Sequence, residues 1–355
     1  MLVEKPSFHI STYSFQLEIE SQTWLNAALA EGSAPAAECA GNFSAAFTQQ
    51  LKLTNALTTL VNEIATNPAV PLWHDFYEMC KPRVVMLMLL TSLVGMFLAV
   101  PGMLPLDILI FGNLGIALVA GSGAVVNHLI DRKIDLVMKR THNRPVAQGR
   151  VEPRVAALFA TVLGVVGMAI LLFLVNPLCA WLTLASFVGY AFIYTGYLKH
   201  ATPQNIVIGG LSGAMPPLLG WSAVTGSIEA DALILVLIIF AWTPPHFWAL
   251  AIHRKEEYAK SGVPMLPVTH GEHVTKIHIL IYTAVLMLVS IFPYFSGMSA
   301  MLYLVSALLL GAGFMVWSSL LMFRPKPTTA MDTFRYSIVY LALLFLALMV
   351  DHYLF

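Results

Sequence analysis

Nine apolar runs occupy most of the chain after residue 80, and they restrict its fold more than any other feature. An α-helix needs about 20 apolar residues to cross the hydrocarbon core of a bilayer. The predicted spans are 84–101, 107–126, 155–175, 178–198, 204–224, 230–251, 277–297, 300–322 and 335–355. Only 11% of the 355 residues are charged, against about 25% in a soluble domain. The sequence therefore predicts an all-α, polytopic membrane protein with nine transmembrane helices in a lipid bilayer.

The first 70 residues have a different composition. They are rich in Ser, Thr, Ala, Asn and Glu and contain no Arg. A signal peptide has a basic start and an early apolar core, and a mitochondrial transit peptide is rich in Arg and poor in acids. This segment shows neither pattern. We expect residues 1–70 to form a poorly ordered cytoplasmic extension and residues 71–355 to form the nine-helix domain.

Lysine and arginine residues occur only in alternate loops after Lys81. Loop 126–154 carries seven of them and loop 252–276 carries four, whereas the connections at 102–106 and 225–229 carry none. Because cytoplasmic loops are enriched in Lys and Arg, we expect the N-terminus and both long loops to be cytoplasmic and the C-terminus to lie outside. The formal net charge is zero, which gives no reason to expect a nucleic-acid partner.

The two long polar loops hold matching positions, after the second and the sixth spans. Four helices separate them, and internal repeats are common in membrane proteins. This layout predicts two similar halves around a central cavity, each of which contributes one loop to a shared site.

The first long loop begins with three ligand-type residues at a helical spacing, Asn127, Asp131 and Asp135. Residues at i, i+4 and i+8 advance about 40° per step and share one face of a helix. Mg²⁺ is usually held by one or two carboxylates while phosphates and waters complete its shell. Five neighbouring bases are candidates to neutralise such phosphates: Arg132, Lys133, Lys139, Arg140 and Arg144. The pattern favours a metal–diphosphate site, with a solvated helix end whose acids pair with nearby bases as the alternative.

The second long loop adds further charged candidates. They are Arg254, Lys255 and Lys260 for diphosphate oxygens and Glu257 as a second metal ligand or a partner for a base. His246 lies within an apolar helix, where an unpaired imidazole is costly. It is either a histidine satisfied by the helix packing or a substrate contact. Four residues near the inner end of the fourth span are candidates to line the same space: Tyr190, Tyr194, Thr195 and Tyr197.

These residues resemble the intramembrane prenyltransferase superfamily that includes 4-hydroxybenzoate polyprenyltransferase. The similarity is greatest to the protoheme IX farnesyltransferases, or heme O synthases, and runs from about Asp75 to the C-terminus. It is carried by Lys81-Pro82-Arg83, Asn127-xxx-Asp131-xxx-Asp135, Lys139-Arg140-Thr141 with Arg144-Pro145, Tyr194-Thr195, Gly209-Gly210 with Gly213-Ala-Met-Pro-Pro217, Thr243-Pro-Pro-His246-Phe-Trp248 and Gly262-Val-Pro-Met-Leu-Pro267.

The resemblance implies transfer of the farnesyl group of farnesyl diphosphate to a vinyl group of heme b, which gives heme O for terminal oxidases. It implies Mg²⁺ as the cofactor and heme b as a substrate. The implied catalytic residues are Asn127, Asp131, Asp135, Arg132 and Lys133, and His246 would contact the heme iron or a propionate. A bacterial inner (plasma) membrane location is also implied, with heme A synthase or terminal-oxidase assembly proteins as candidate partners.

Two other functions remain open on the sequence. One is prenyl transfer to an aromatic acceptor such as 4-hydroxybenzoate, and the other is a non-catalytic heme carrier or oxidase assembly factor. Quinone-type members of the superfamily carry a second Asp-rich motif after the sixth span. Here the corresponding loop has Glu256 and Glu257 as its only acids before Gly262, so we expect one metal site rather than two.

Overall fold

A computed structural model describes Lys52 and residues 72–354, and all regular secondary structure in this part of the chain is helical. The prediction of an all-α fold is confirmed. The extension predicted for residues 1–70 lies outside the described residues except for Lys52.

The helices follow one another closely, separated by short connections and two longer loops. They are α1 (Trp73–Met79), α2 (Pro82–Leu98), α3 (Leu106–Asp135), α4 (Pro153–Val175), α5 (Pro177–Ala201), α6 (Asn205–Thr225), α7 (Ala230–His253), α8 (Lys255–Lys260), α9 (Leu266–Thr269), α10 (Gly271–Phe295), α11 (Met301–Phe323) and α12 (Thr329–Leu354). Eight of these are long and apolar enough to cross a membrane, and the number is nine when the bent pair α1–α2 is counted as one span. This agrees with the nine predicted spans.

The first span contains a sharp bend at Lys81. Helices α1 and α2 meet at 50°, and Pro82 occupies the first position of α2, where its missing N–H group costs nothing. Lys81 has φ 51° and ψ 57°, a left-handed conformation that no other non-glycine residue adopts in the described part of the chain. This conformation costs about 1–2 kcal/mol, so it depends on contacts that hold Lys81 in place.

Helix α3 is longer than the predicted span of 107–126. It has 30 residues and ends at Asp135, because no Gly or Pro interrupts residues 124–144 and a helix does not need apolar residues to continue. At 1.5 Å per residue it is about 45 Å long, whereas the hydrocarbon core is about 30 Å thick. The ligand-type residues therefore lie on the last turns of a helix, and the loop begins after them.

Helix α6 is broken at Met215 by the following proline pair, as the sequence leads us to expect. Its second half packs very closely on α2. A Cβ atom placed on Gly220 would lie 2.8 Å from the carbonyl carbon of Ser92, and Gly95 faces the backbone of Pro217 in the same way. Glycine at such positions lets two membrane helices approach to backbone contact.

Helix α7 is the most buried of the spans, packing against α6, α10 and α12. Helix α3 packs mainly against α4 and α2. Helix α3 is also in contact with α5, and this contact brings together the polar groups described below.

We expect Gly220→Ala to lower the free energy of unfolding by about 1–3 kcal/mol, because the added methyl group would collide with the backbone of α2. Gly213→Ala is the matched control, since a Cβ atom at this position of α6 has no neighbour within 4 Å. Thermal unfolding in detergent measures both changes. Equal melting temperatures for the two variants would contradict the close packing of α2 on α6.

Candidate active site

Asn127, Asp131 and Asp135 are all buried, with exposed fractions of 5%, 2% and 2%. They lie on one face of α3, as their spacing predicts, and Asn127 Nδ2 donates a hydrogen bond to Asp131 Oδ2 at 2.7 Å. Two buried carboxylates in a largely apolar chain are strongly unfavourable unless cations compensate them. The surrounding structure supplies those cations.

Each of the three residues is held by a different base. Lys81 Nζ donates to Asn127 Oδ1. Lys199 Nζ lies 2.7 Å from Asp131 Oδ2. Arg144 Nη1 donates to both carboxylate oxygens of Asp135, at 2.9 and 2.7 Å. The bases come from the α1–α2 bend, the end of α5 and the loop after α3, so three separate segments converge on one face of α3.

Helix α5 forms one wall of the cluster. Residues Gly189–Leu198 adopt a π-helix, a widened helical form that often occurs at functional sites. Tyr190 accepts a hydrogen bond from Lys81 Nζ at 3.5 Å, and Thr195 accepts one from Asn127 Nδ2 at 3.3 Å. Tyr194 stacks on Tyr190 with a centroid distance of 6.0 Å. The predicted site residue Tyr194 thus lies beside the cluster.

Two buried polar atoms at the cluster have no hydrogen-bond partner, Asp131 Oδ1 and His128 Nδ1. Buried polar atoms are nearly always satisfied in folded proteins, so the free carboxylate oxygen indicates a place for a ligand. The available donors at Asn127, Asp131 and Asp135 are hard oxygen atoms, which Mg²⁺ prefers. The donor set fits a magnesium ion.

Four of the predicted basic residues lie outside this buried cluster. Arg132, Lys133, Lys139 and Arg140 are exposed, and none of them forms an ion pair with a residue in the range 72–354. Arg132 and Lys133 follow Asp131 by one and two positions, which places them on other faces of α3.

The second loop packs against the first. Tyr258 and Met265 belong to the same apolar cluster as Met138. Burial raises the pKa of Tyr258, and the nearby Arg140 and Arg254 guanidinium groups partly oppose that shift. Arg140 is therefore close to the second loop although its side chain is exposed. The two long loops meet, as the sequence layout predicts.

Among the described residues, the charged candidates of the second loop pair only with residues of the same region. Arg254 pairs with Glu257 at 3.7 Å, and Lys255 lies 3.3 Å from Glu272. Lys260 is exposed. No ion pair between described residues joins these groups to Asp131 or Asp135.

His246 lies between aromatic rings where α7 packs on α12. Its ring stacks on Trp242 at 4.1 Å and on Phe334 at 4.5 Å, and Nδ1 lies 2.6 Å from Ser337 Oγ. The Nδ1 atom of His246 therefore has a hydrogen-bond partner within the helix packing. Nε2 makes no hydrogen bond within residues 72–354, and none of the contacts of His246 reaches the acidic cluster.

Two bases of the cluster are absent from the predicted site residues: Lys81 and Lys199. Lys81 and Lys199 had a signal in the sequence, because each is a base just outside a predicted apolar span. A base in that place is also ordinary topology, so the signal did not distinguish a site residue from an orientation signal.

The family comparison identifies the fold and the reaction class. The model of the UbiA prenyltransferase family matches residues 88–349. The chain belongs to the UbiA prenyltransferase family. The match includes all three ligand-type residues together with Arg144 and Lys199. The resemblance to intramembrane prenyltransferases is confirmed, and a prenyl diphosphate substrate and a multi-pass membrane location follow from the family.

Individual relatives agree with this assignment. The chain is 64% identical over 291 residues to protoheme IX farnesyltransferase 1 of Pseudomonas fluorescens. The aligned residues make up 82% of this chain and 97% of that protein. A solved structure of digeranylgeranylglyceryl phosphate synthase matches with a TM-score of 0.69 at 18% identity, over 79% of this chain and 99% of that one. A UbiA homologue from Archaeoglobus fulgidus bound to GPP and Mg²⁺ matches with a TM-score of 0.54 at 14% identity, over 77% and 99%. At these identities the two solved structures support the fold alone.

We expect Arg144→Met to destabilise this UbiA-family protein by about 3 kcal/mol, because it leaves the buried Asp135 carboxylate uncompensated. The double variant Arg144→Met with Asp135→Leu should recover much of the loss, since both charges are then gone. Arg132→Met, an exposed base on α3, is the control and should change stability by less than about 0.5 kcal/mol. Unfolding curves in detergent decide the matter, and equal effects of Arg144→Met and Arg132→Met would argue against a buried ion pair.

Proposed function

We propose that this protein transfers the farnesyl group of farnesyl diphosphate to a vinyl group of protoheme IX (heme b) and so makes heme O. The observation that supports this acceptor is the 64% identity to a protoheme IX farnesyltransferase along 97% of that relative. The diphosphate half of the reaction is supported by the buried cluster of Asn127, Asp131 and Asp135 with its three bases.

Asn127, Asp131 and Asp135 would hold Mg²⁺ in the working enzyme. The free Oδ1 atom of Asp131 and the other side-chain oxygens of Asn127, Asp131 and Asp135 support this assignment. A UbiA homologue of the same fold has been solved with GPP and Mg²⁺. When bound, Mg²⁺ supplies positive charge that stabilises the negative charge developing on the departing diphosphate.

The bases of the cluster bind and orient the diphosphate. Lys81, Lys199 and Arg144 already converge on the ligand residues, and charge-assisted hydrogen bonds from such groups to phosphate oxygens are strong. The exposed bases Lys139 and Arg140 are candidates to attract the substrate from the cytoplasm. The stacked rings of Tyr190 and Tyr194 offer an aromatic wall for the allylic end of the chain, where cation–π attraction favours developing positive charge.

The reaction itself needs no nucleophile from the protein. The allylic carbon–oxygen bond breaks and its electron pair leaves with the diphosphate, while the vinyl π-electrons form the new carbon–carbon bond. The cation left beside the porphyrin is captured by water, which loses a proton to give the hydroxyethylfarnesyl side chain. The protein's task is to keep water away from the allylic cation until the vinyl group has reacted, and the apolar spans suit that task.

The heme site is proposed to include the side of His246 that faces away from Ser337. Nδ1 is occupied by Ser337 Oγ, so a heme iron or propionate would be contacted through Nε2. Four residues of the second loop remain candidates for substrate binding: Arg254, Lys255, Glu257 and Lys260. Their loop lies beside the first loop, because Met138 and Tyr258 belong to one apolar cluster.

The distribution of bases supports an orientation with the N-terminus and both long loops in the cytoplasm and the C-terminus on the other side. We place the protein in the inner (plasma) membrane of a bacterium, where farnesyl diphosphate arrives from the cytoplasm. Heme A synthase and terminal-oxidase assembly proteins are the proposed partners that would receive heme O.

The purified protein should form heme O from farnesyl diphosphate and heme b and no prenylated product from farnesyl diphosphate and 4-hydroxybenzoate. Mass spectrometry of the extracted products separates the two. The double variant Asp131→Asn with Asp135→Asn should lose at least a hundredfold in rate, because several kcal/mol of leaving-group stabilisation are removed. It should still bind heme b. Product from the aromatic acid alone, or full activity in the double variant, would rule out the proposed reaction.

His246→Ala should weaken heme b binding while leaving farnesyl diphosphate affinity unchanged. Ser337→Ala is the matched control, because it removes the partner of Nδ1 and keeps the imidazole. Optical titration with heme b measures the first effect, and thermal unfolding measures the loss of packing. A stability loss with unchanged heme affinity would assign His246 to the packing of α7 on α12 alone.

A further inference from the structure

The three proposed metal ligands are covered one for one by the three bases. Lys81 holds Asn127, Lys199 holds Asp131 and Arg144 holds Asp135. The side chains of Lys199 and Arg144 are 15% and 14% exposed, so their pairs are largely shielded from solvent. This inference rests on the function proposed above, in which the same residues take up Mg²⁺ and a diphosphate.

The charge of the cluster opposes binding of a metal ion by itself. With Lys81 protonated, three cations face two carboxylates, which leaves one positive charge in excess. A divalent cation entering this group would raise the excess to three charges in a weakly screened environment, where Coulomb interactions are much stronger than in water. It would also have to displace bases from the oxygens that it needs.

A prenyl diphosphate changes this balance. Fully ionised, it carries three negative charges, so the cluster with one diphosphate and one Mg²⁺ is neutral. An account of such a site must include the charge of the ion and of the phosphates together. Each base that turns from its ligand residue to a phosphate oxygen also frees a ligand oxygen for the metal.

We propose that Lys81, Lys199 and Arg144 mask the metal ligands in the substrate-free protein, and that the diphosphate group unmasks them by drawing these bases onto its own oxygens. Metal and prenyl diphosphate then bind cooperatively, and the coupling is reciprocal, so that each raises the affinity of the other by the same factor. The free oxygen of Asp131 is the point from which the metal shell is completed.

Lys81 is the base that the diphosphate displaces first. Its partner Asn127 is neutral, and a hydrogen bond to an amide is weaker than one between two ions. Its second contact, the Tyr190 hydroxyl, is long at 3.5 Å. Its left-handed backbone at the α1–α2 bend is an uncommon conformation for a lysine, and such conformations concentrate at functional sites.

Direct measurement of metal binding tests the masking. Mn²⁺ serves as the probe, and electron paramagnetic resonance counts free Mn²⁺ in solutions of the full-length protein in detergent. Titrations are run with and without farnesyl diphosphate, in the absence of heme b so that no transfer occurs. The Asp131→Asn with Asp135→Asn variant gives the background from Mn²⁺ bound to farnesyl diphosphate alone.

Farnesyl diphosphate should raise the Mn²⁺ affinity of the unsubstituted protein about tenfold or more, within the usual range of couplings between sites. Lys199→Met should raise Mn²⁺ affinity without farnesyl diphosphate, because Asp131 is then unmasked, and should reduce the gain that farnesyl diphosphate produces. Lys199→Arg keeps the positive charge beside Asp131 and should therefore keep the Mn²⁺ affinity low in the absence of farnesyl diphosphate. Lys326→Met, in an exposed loop, is the control for the substitution itself.

Two results would overturn the inference, and they differ from each other. Strong Mn²⁺ binding that is equal with and without farnesyl diphosphate, and unchanged by Lys199→Met, would mean that the bases do not mask a functioning metal site. Absence of Mn²⁺ binding above background under every condition would remove the metal site of the proposed function as well.

Discussion

The pairing of carboxylates with bases at the end of a membrane helix is the constraint on which the site depends. Asp131 and Asp135 are buried at the end of α3, and buried charges persist only when opposite charges are held nearby. That requirement determines which segments converge there. The α1–α2 bend delivers Lys81, the end of α5 delivers Lys199, and the loop after α3 folds back to deliver Arg144. The end of the bundle that holds Asp131 and Asp135 is thus organised by charge, while its interior is organised by apolar packing.

The two kinds of organisation meet in α5 and α7. In α5 an apolar helix becomes a π-helix where Tyr190, Tyr194 and Thr195 face the cluster, so the irregular hydrogen bonding coincides with the polar contacts. In α7 two prolines lie within a continuous helix, and the buried ring of His246 follows them against α12. In the proposed reaction, the π-helix of α5 would lie beside the diphosphate and the proline segment of α7 would lie beside the acceptor.

Local sequence patterns predicted the helical spans and the shared face of the ligand-type residues. They did not predict the contacts between residues that are far apart in the sequence. The spacing of Asn127, Asp131 and Asp135 determines a common helix face, and the apolar runs determine the spans, because both depend only on helix geometry. The bases that cover the ligands are 46 residues distant for Lys81 and lie on another helix for Lys199, so only tertiary packing reveals them. The same holds for His246, whose partners in α12 are about 90 residues further along. The predicted span ended too early for α3, because the end of an apolar run marks the membrane boundary and not the end of the helix.

The length of α3 has a consequence for selectivity between prenyl chains of different length. Asn127 and Asp135 are separated by about 12 Å of helix rise, and the remaining turns of α3 run back through the bilayer. A substrate anchored by its polar head on those last turns would lay its isoprenoid tail along the apolar part of the same helix. Each added isoprene unit would then extend further into the membrane without disturbing the head. In that arrangement, discrimination between short and long tails would come from side chains deep in the bundle, so selectivity for chain length would be set by residues other than those that hold the diphosphate.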